Sequence, residues 1–449
     1  MNPHRFGSSR HTWCVQICLA VALSGAEVPR AIAADAVTDW NAFTTGLFTV
    51  QPSGFLDSRI YAIQHAAIHD ALNTVKPRYQ RYTECEGIEG PLQASDAAAV
   101  AQASRDVLVE LWATNVWANP PLAPPEVQAT IQGMIDDQYS AALAGIPAGD
   151  AKENGKAIGA ACARANLQKR ATDGLSEAGP PFSPTPVYVP GNSPGDYQYT
   201  PPFDAPPFGP LAGSPGAGNM TPFAIDLSKH KVGGPLRLSS LVYAADLNFV
   251  KAIGRIDSTT RTAEQSEIAT FWYEDSPKGW NRIANSVIRQ KGVGARDAAR
   301  ILALLNFAMA DGFIAGFAAK YKYVFWRPIT AIHMADGDGN PLTTADANWN
   351  SFCVSPPIPE HPSTHTVLGA AAAGALIQHF GDRVRFATTS STLPGVTRRF
   401  SSFTEAAVEN GLSRVYCGIH FVNAVRDGYD LGQAIGGQVS GKLPALHER

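Results

Sequence analysis

The sequence is short of several features that mark common protein classes. Lysine plus arginine number 36 and aspartate plus glutamate 39, so the formal net charge is only −3 and no nucleic-acid-binding surface is expected. After the N-terminal leader, no segment approaches 18 uninterrupted apolar residues, so no membrane span is expected in the mature chain. Runs of alternating β-branched residues are scarce, which argues against a sheet-based core.

Cysteine is also scarce, and its spacing resembles no zinc site. Beyond the leader four remain: Cys85, Cys162, Cys353 and Cys417. In an oxidising compartment they allow up to two disulfides, in three pairings that the sequence does not separate. The chain also has no Gly-rich loop ending in Gly-Lys-Ser/Thr, which argues against a nucleotide hydrolase.

The first 33 residues are typical of an export signal. Arg5 and Arg10 precede an apolar run, WCVQICLAVALSGA, that is too short for a comfortable bilayer span. The small residues at 31–33 form a cleavage site. We expect cleavage near Ala33 and export to the periplasm or the medium, leaving one domain over residues 34–449.

Most of the mature chain is predicted to be helical. The expected helices cover residues 57–75, 126–145, 154–170, 266–276 and 297–326, with two more around 366–380 and 418–440. The first is apolar around nearly its whole circumference, which indicates burial and favours a homo-oligomer in which a second subunit covers it. His65 and His69 lie four apart on this helix, and core histidines are favoured there over metal ligands.

One segment, residues 179–219, is dense in proline, glycine and aromatic residues. A regular helix is excluded, and about 40 residues exceed an ordinary connection. The segment is either a disordered linker between two domains or an extended strap on the surface that shapes the mouth of a cleft. Its repeated tyrosines and phenylalanines favour the strap.

Residues 297–440 contain three clusters that supply groups able to bind an oxyanion. Lys320 and Arg327 are seven residues apart, which on a helix would place them on one face roughly 10 Å apart. The stretch 362–365, PSTH, precedes an apolar run, so it is typical of a helix start, where free N–H groups suit an anion. Arg414 and His420 complete the set.

Each cluster alone is compatible with a structural role, as a helix cap or as cations at a helix end. Together, three cations, a hydroxyl and a helix N-terminus would neutralise a highly charged tetrahedral anion. Stabilising charge on the equatorial oxygens is most of the catalysis in phosphoryl transfer. The combination therefore indicates an enzyme that acts on phosphate or on an anion like it.

The three clusters resemble the motifs of the superfamily of vanadium-dependent haloperoxidases and type-2 phosphatidic acid phosphatases. The superfamily pattern is Lys, six residues, Arg-Pro, then Pro-Ser-Gly-His, then Ser-Arg, five residues, His. This chain matches it at every position except Thr364, which replaces the glycine. Segments such as DAVTDWNAF and FWYEDSPKGWNRIA are similar to bacterial exported haloperoxidases. The resemblance implies an all-α fold with helical bundles around one oxyanion site.

The resemblance also implies a role for each matching residue. Vanadate or phosphate oxygens would be bound by Lys320, Arg327, Ser363, Arg414 and the backbone N–H of Thr364. His365 would be the acid–base residue, and His420 would coordinate vanadium or, in a phosphatase, attack phosphorus. Vanadium would act as a Lewis acid that makes hydrogen peroxide electrophilic towards halide, without haem or flavin.

Three functions are compatible with these motifs. The first is halide oxidation by hydrogen peroxide with vanadate as cofactor, which whole-chain resemblance favours. The second is a non-specific acid phosphatase that cleaves phosphate esters through a phosphohistidine and needs no metal. The third is an inactive oxyanion-binding protein, which the intact pair His365 and His420 disfavours.

Besides Thr364, two further positions depart from the family. Relatives often carry an acid four residues beyond the last histidine to orient its ring, and here that residue is Ala424. Asp427 lies one turn further on, while Glu360 and His361 flank the stretch 362–365, so these three are the candidate neighbours of the site. Ile358 stands where some haloperoxidases carry an aromatic residue.

Overall fold

The computed structural model describes residues 33–50, 56–88, 93–113 and 124–446, where it confirms the all-α class. Its helices are α1 (Ala33–Val50), α2 (Leu56–Val75), α3 (Asp96–Leu108), α4 (Pro125–Ala144), α5 (Asp150–Arg170), α6 (Leu241–Ile253), α7 (Ala263–Phe271), α8 (Ser276–Gln290), α9 (Ala295–Tyr323), α10 (Pro328–His333), α11 (Thr364–Phe380), α12 (Phe403–Tyr416) and α13 (Val422–Val439). A short antiparallel hairpin joins β1 (Phe386–Thr389) to β2 (Thr397–Phe400). Apart from Ala33, the predicted leader lies outside the described residues.

Helix α9 is the centre of the fold and contacts α2, α11 and α13. It is buried along nearly its whole length because its sequence is apolar on every side. Within the described ranges it is the one helix long and apolar enough to cross a membrane, and 94% of that apolar window is buried inside the protein. Gly312 and Gly316 leave room for α11, since a Cβ on either would lie 3.1–3.2 Å from an α11 side chain.

Helix α2 is covered by α3, α5 and α9 of the same chain, so its apolar surface gives no reason for a second subunit. The homo-oligomer therefore stays a prediction, and the apolar surface of α2 no longer supports it. His65 and His69 are core residues: their Nε2 atoms lie 3.0 Å from Asn41 Oδ1 and 3.1 Å from Gln80 O. Burial lowers the pKa of His65 to about 3 and that of His69 to about 4, which keeps both neutral.

Two helices near the site have boundaries that differ from the predicted ones: α9 ends earlier and α13 begins later. Helix α9 stops at Tyr323 because Val324 adopts the left-handed conformation (φ 41°), and Pro328 then starts α10. Lys320 and Arg327 therefore do not share one helix, and that prediction is wrong. Helix α13 begins at Val422 rather than 418, so His420 lies in the loop after α12. The helix expected at 266–276 is likewise interrupted, between α7 and α8.

Residues 179–219 form an extended strap with only short helical turns. The strap is hydrogen-bonded to the end of α9, where Tyr197 N donates to Val324 O at 2.7 Å. It is also bonded to the loop of residues 356–363 that precedes α11, called the anion loop below, where Gly213 N donates to Pro357 O at 2.6 Å. Just beyond the strap, the buried carboxylate of Asp311 on α9 accepts three backbone N–H bonds from residues 223–225. The segment is thus fastened at several points, as expected of a strap rather than a linker.

Two disulfides select one of the three pairings that the sequence left open. Cys85 pairs with Cys162, which joins the segment after α2 to α5. Cys353 pairs with Cys417, which joins the segment before the anion loop to the end of α12. The second disulfide therefore fastens the loop that carries His420.

Candidate active site

One cavity of about 620 Å³ brings together residues from all three motifs. Its lining includes Lys320, Arg327, Thr364, His365, Arg414 and His420. They arrive from α9, the residue before α10, the first turn of α11, the last turn of α12 and the loop that follows it. The turn at Val324 and the extended conformation of Arg327 (φ −77°, ψ 156°), which Pro328 favours, bring the first two together.

Lys320 and Arg327 are fully buried and hold the loops around the cavity. Lys320 Nζ donates to the Glu360 carbonyl at 2.9 Å, and Arg327 donates to the carbonyls of Ile358 and Ile419 at 2.8 Å each. Burial, and then the charge of Arg327, holds the pKa of Lys320 well below its usual value. An anion in the cavity would favour the charged form of Lys320 and offset that desolvation.

Several donors at the cavity have no hydrogen-bond partner within the described part of the chain. They are Arg327 Nη2, Arg414 Nε and the hydroxyl of Thr364. Burial lowers the pKa of Arg414 to about 10, so its guanidinium is charged at neutral pH. Leaving buried charged donors unpaired is costly, and an anion that accepts their bonds would offset the cost. The donor set fits a tetrahedral oxyanion such as vanadate or phosphate.

His420 is held in one tautomer by its two neighbours. Its Nε2 lies 3.1 Å from Arg327 Nη1, which can only donate, so Nε2 is the acceptor and the proton sits on Nδ1. Nδ1 lies 2.9 Å from Glu360 Oε1, which also accepts from Phe421 N at 2.9 Å. Burial, followed by the charge of Arg327, holds the pKa of His420 well below its ordinary value. The ring is neutral, and its lone pair, on Nε2, accepts the bond from Arg327 Nη1.

Glu360 therefore takes the position of the acid that Ala424 lacks, from a different part of the chain. Asp427 does not contact His420. Its carboxylate accepts from Asn423 Nδ2 at 3.1 Å and lies 3.7 Å from His361 Nε2. The reason is that His420 precedes α13, so the two residues do not share a helix face.

His365, on the first turn of α11, is held at both ring nitrogens. Nδ1 lies 3.0 Å from Ser276 Oγ, and Nε2 lies 2.9 Å from the amide nitrogen of Asn410. Because an amide nitrogen donates, Nε2 is the acceptor and Nδ1 carries the proton. Burial, and then Arg414, holds the pKa of His365 well below its usual value. Ser276 and Asn410 were not predicted; the only signal was that Asn410 lies one helical turn before Arg414.

Two other predicted residues lie beside the cavity rather than in its lining. Ser363 occupies the N-cap position of α11, but its side chain does not cap the helix and instead accepts from Thr366 Oγ1 at 2.8 Å. His361 Nε2 is engaged with Gly233 O at 2.8 Å. Thr364 takes the place of the family glycine without a positive φ, as expected for the start of a helix.

The comparisons with known proteins agree with the motifs. Residues 300–449 match the family model of the VCPO second helical-bundle domain. The crystal structure of a bacterial vanadium-dependent iodoperoxidase superposes with a TM-score of 0.76 at 23% identity, covering 94% of this chain and 100% of that one. The chain has the vanadium haloperoxidase fold. The resemblance inferred from the motifs is confirmed.

Two further known proteins are similar to this chain. The holo form of a bacterial vanadium-dependent chloroperoxidase gives a TM-score of 0.66 at 17% identity, covering 86% of this chain and 91% of that one. The vanadium chloroperoxidase of Curvularia inaequalis is 23% identical over a region that covers 37% of each protein. The match thus spans little more than a third of that curated relative's length.

Proposed function

We propose that the protein is a vanadium-dependent haloperoxidase that oxidises halide with hydrogen peroxide. The observation that carries the proposal is that Arg327 and Arg414, each with one guanidinium nitrogen unpartnered among the described residues, line the same cavity as His420, whose Nε2 carries no proton. The named activities of the relatives, all haloperoxidases, favour this reaction over phosphate-ester hydrolysis. Vanadate, when bound, would supply a Lewis acid that activates peroxide towards halide.

In this proposal the chain's own residues bind and orient the anion, and they move protons. Lys320, Arg327, Arg414 and the N–H of Thr364 bind the anion's oxygens, and Ser363 supports the start of the helix that presents Thr364. His420 would hold the metal through Nε2, in place of the bond that Nε2 accepts from Arg327 Nη1. His365 takes up and returns a proton at Nδ1 when the amide of Asn410 turns its Oδ1, which has no partner among the described residues, to accept from Nε2–H. A bound anion would offset the charge of Arg414 and raise the pKa of His365 towards a useful range.

The test uses protein freed of metal and then reloaded with orthovanadate. Iodide and bromide oxidation by hydrogen peroxide should require vanadate. The activity should fall at least about a hundredfold in His420→Ala, because truncation removes the lone pair. His379→Ala is the matched control: it removes an exposed imidazole at the far end of α11 and should leave activity unchanged.

Phosphate-ester hydrolysis is measured in parallel without vanadate. Hydrolysis together with no halide oxidation would reassign the protein to the acid phosphatases, with His420 as nucleophile. Absence of both activities, together with no calorimetric binding of orthovanadate or phosphate, would reject the anion site itself.

We also propose that the protein is exported and loses its leader near Ala33. Two disulfides support this, because they form and persist in oxidising compartments. Fractionation of expressing bacterial cells, with N-terminal sequencing, should find a periplasmic or secreted chain that begins close to residue 34. A full-length chain confined to the reducing cytoplasm would contradict the proposal.

A further inference from the structure

We infer that a single water molecule binds in a small cavity next to Glu360, and that this water and Tyr243 together hold the Glu360 carboxylate against His420. Tyr243 is thereby a positioning residue for the histidine that would hold the metal. The positioning role rests on the proposed function, whereas the water site rests on the geometry alone. Three features carry the inference: two buried oxygens without partners, a cavity of the right size that both residues line, and the packing of α6 against the segment after His420.

The first feature is a pair of buried oxygens that have no hydrogen-bond partner of good geometry among the described residues. They are Glu360 Oε2 and the hydroxyl oxygen of Tyr243, and each residue is only 1% exposed. Burying a polar group without a hydrogen bond costs free energy, and the cost is largest for a charged one. The other oxygen of Glu360 is used by Phe421 N and by the ring of His420, so Oε2 is available to a further donor.

The second feature is a cavity of about 10 Å³ that Glu360 and Tyr243 both line, and that shares no lining residue with the anion cavity. This volume is about what one water molecule needs, provided that it finds two to four polar partners. Ala424 also lines the cavity, and its short side chain leaves the room. Within the described ranges no group of three or more histidine, cysteine or acidic side chains could hold a metal ion, so a water is the occupant that fits.

The other polar side chains at this small cavity already have partners. The carboxylate of Asp246 accepts from Val422 N at 2.8 Å and from Asn423 N at 2.9 Å. The side chain of Asn423 donates to Asp427 at 3.1 Å, and Nε2 of His361 lies 2.8 Å from a backbone carbonyl. The two unpartnered oxygens are therefore the pair that a water would join.

The direction of the hydrogen bonds follows from the chemistry of the groups. Burial raises the pKa of Tyr243, so its hydroxyl keeps its proton. The indole N–H of Trp326 acts on the same oxygen and can only donate, which leaves the hydroxyl proton for the water. The water in turn donates to Glu360 Oε2. Glu360 then receives a donor at each of its oxygens, which fixes the orientation of the carboxylate that faces His420.

The third feature is the packing of α6, which fixes Tyr243 relative to the segment that follows His420. The ring of Tyr243 packs against Phe421, with the ring centroids 6.0 Å apart. Asp246, about one turn later on α6, accepts the first two backbone N–H groups of α13. Ser240 caps α6, since its Oγ accepts from Tyr243 N at 3.1 Å. The hydroxyl is therefore held in place before any anion binds, which is the preorganisation that a positioning residue needs.

A crystal structure of the wild-type protein at high resolution tests the water site directly. One ordered water should lie within about 3.2 Å of both Glu360 Oε2 and the hydroxyl of Tyr243. A dry cavity, or a water that touches only one of the two oxygens, would overturn the inference.

Orthovanadate affinity, measured by titration calorimetry, tests the positioning role. Tyr243→Phe removes only the hydroxyl and should weaken binding about three- to tenfold, which is the worth of one neutral hydrogen bond. Tyr61→Phe is the matched control, because it removes a buried hydroxyl that lies 2.6 Å from Thr45 Oγ1 and lines neither cavity.

Tyr61→Phe should lower the melting temperature at least as much as Tyr243→Phe and leave the affinity within about twofold of the wild-type value. Equal losses of affinity in the two variants would reduce Tyr243 to a structural residue and contradict the inference alone. A wild type that binds no orthovanadate would overturn the proposed function and the positioning role with it, but not a water site seen in the crystal.

A double-mutant cycle shows whether Tyr243 acts through Glu360. In Glu360→Gln the amide oxygen faces His420 Nδ1–H, so the amide nitrogen faces the small cavity and cannot accept from the water. Adding Tyr243→Phe to this variant should therefore weaken orthovanadate binding by less than about a further twofold. The same loss from Tyr243→Phe in both backgrounds would mean that the hydroxyl acts independently of Glu360, and the inference would fail.

Discussion

Glu360 and His420 meet across 60 residues of sequence at a distance of 2.9 Å. Burial raises the pKa of Glu360 to about 8. When it is ionised, its carboxylate fixes the proton on one ring nitrogen of His420 and makes the other more basic. The remaining oxygen of Glu360 has no partner among the described residues, so the carboxylate is committed to His420 and to Phe421 N. The anion loop thus both presents the N-terminus of α11 and orients the histidine opposite.

We predict that Glu360→Gln weakens orthovanadate binding by roughly 10- to 100-fold, because the neutral amide keeps the shape but not the charge that makes His420 basic. Titration calorimetry at one fixed pH above about 8 measures the effect, because burial raises the pKa of Glu360 to about 8 and its carboxylate must be ionised. Asp427→Asn is the control. This carboxylate lies near the loop without touching His420, so the affinity of the variant for orthovanadate should stay within about twofold of the wild-type value. A larger effect from Asp427→Asn than from Glu360→Gln would show that the wrong acid has been assigned.

Asn410 contacts the ring of His365 and should influence its protonation. Replacing it with aspartate puts a negative charge beside His365 Nε2, which favours the imidazolium, so the pKa of His365 should rise from its depressed value. Histidine NMR titration should show the upward shift, and the pH optimum of halide oxidation should move upwards with it. Asn248→Asp on the exposed part of α6 is the matched control and should leave the His365 titration unchanged. An unshifted His365 in Asn410→Asp would mean that this contact does not set its protonation.

At the scale of elements, the position of α11 depends on close contact with α13. Gly428, Gly432 and Gly436 recur every four residues, so they form one stripe along α13. A Cβ at Gly432 would lie 2.3 Å from Val367 O, and one at Gly428 would lie 2.7 Å from Ser363 O. The stripe therefore lets α13 contact the α11 backbone and fixes where the first turn of α11, which lines the cavity, lies.

Gly432→Ala should destabilise the protein by about 1–3 kcal/mol, since the added methyl forces the two helices apart. Gly437→Ala, in the same helix with nothing within 4 Å of the added Cβ, should instead stabilise it by up to about 1 kcal/mol through helix propensity. Urea unfolding of both variants measures the contrast. Equal effects of the two substitutions on the free energy of unfolding would contradict close packing of α11 against α13.

Helix periodicity located several elements to within a few residues: α2, α4 and α11 were expected at 57–75, 126–145 and 366–380. The end of α9 was not predictable in this way. A β-branched residue rarely adopts positive φ, and the turn at Val324 is supported by a bond from Tyr197, 127 residues earlier. Motif spacing nevertheless predicted that Lys320, Arg327 and Arg414 lie together, and they line one cavity, although the supposed single helix for Lys320 and Arg327 was wrong. Glu360 was predicted as a neighbour of the site, but its bond to His420 was not, because that contact follows no local pattern.

For the whole molecule, the two disulfides and the strap connect segments that are distant in sequence. The sequence left three pairings open because pairing depends on which loops the fold brings together. The observed bridges, Cys85–Cys162 and Cys353–Cys417, span 77 and 64 residues. Loops of these lengths give similar chain-entropy contributions, about 4 kcal/mol each. The two bridges should therefore stabilise the fold comparably.

Their effects on the site should differ. Cys417 lies three residues after Arg414 and three before His420, while Cys162 lies on α5, away from the cavity lining. We predict that the Cys353→Ala/Cys417→Ala double variant loses about tenfold in orthovanadate affinity, because the loop carrying His420 gains freedom that binding must remove. The Cys85→Ala/Cys162→Ala variant should show a similar fall in melting temperature with affinity changed less than about twofold. Calorimetry and thermal unfolding of both variants test this, and equal losses of affinity would mean that the second bridge stabilises only the fold as a whole.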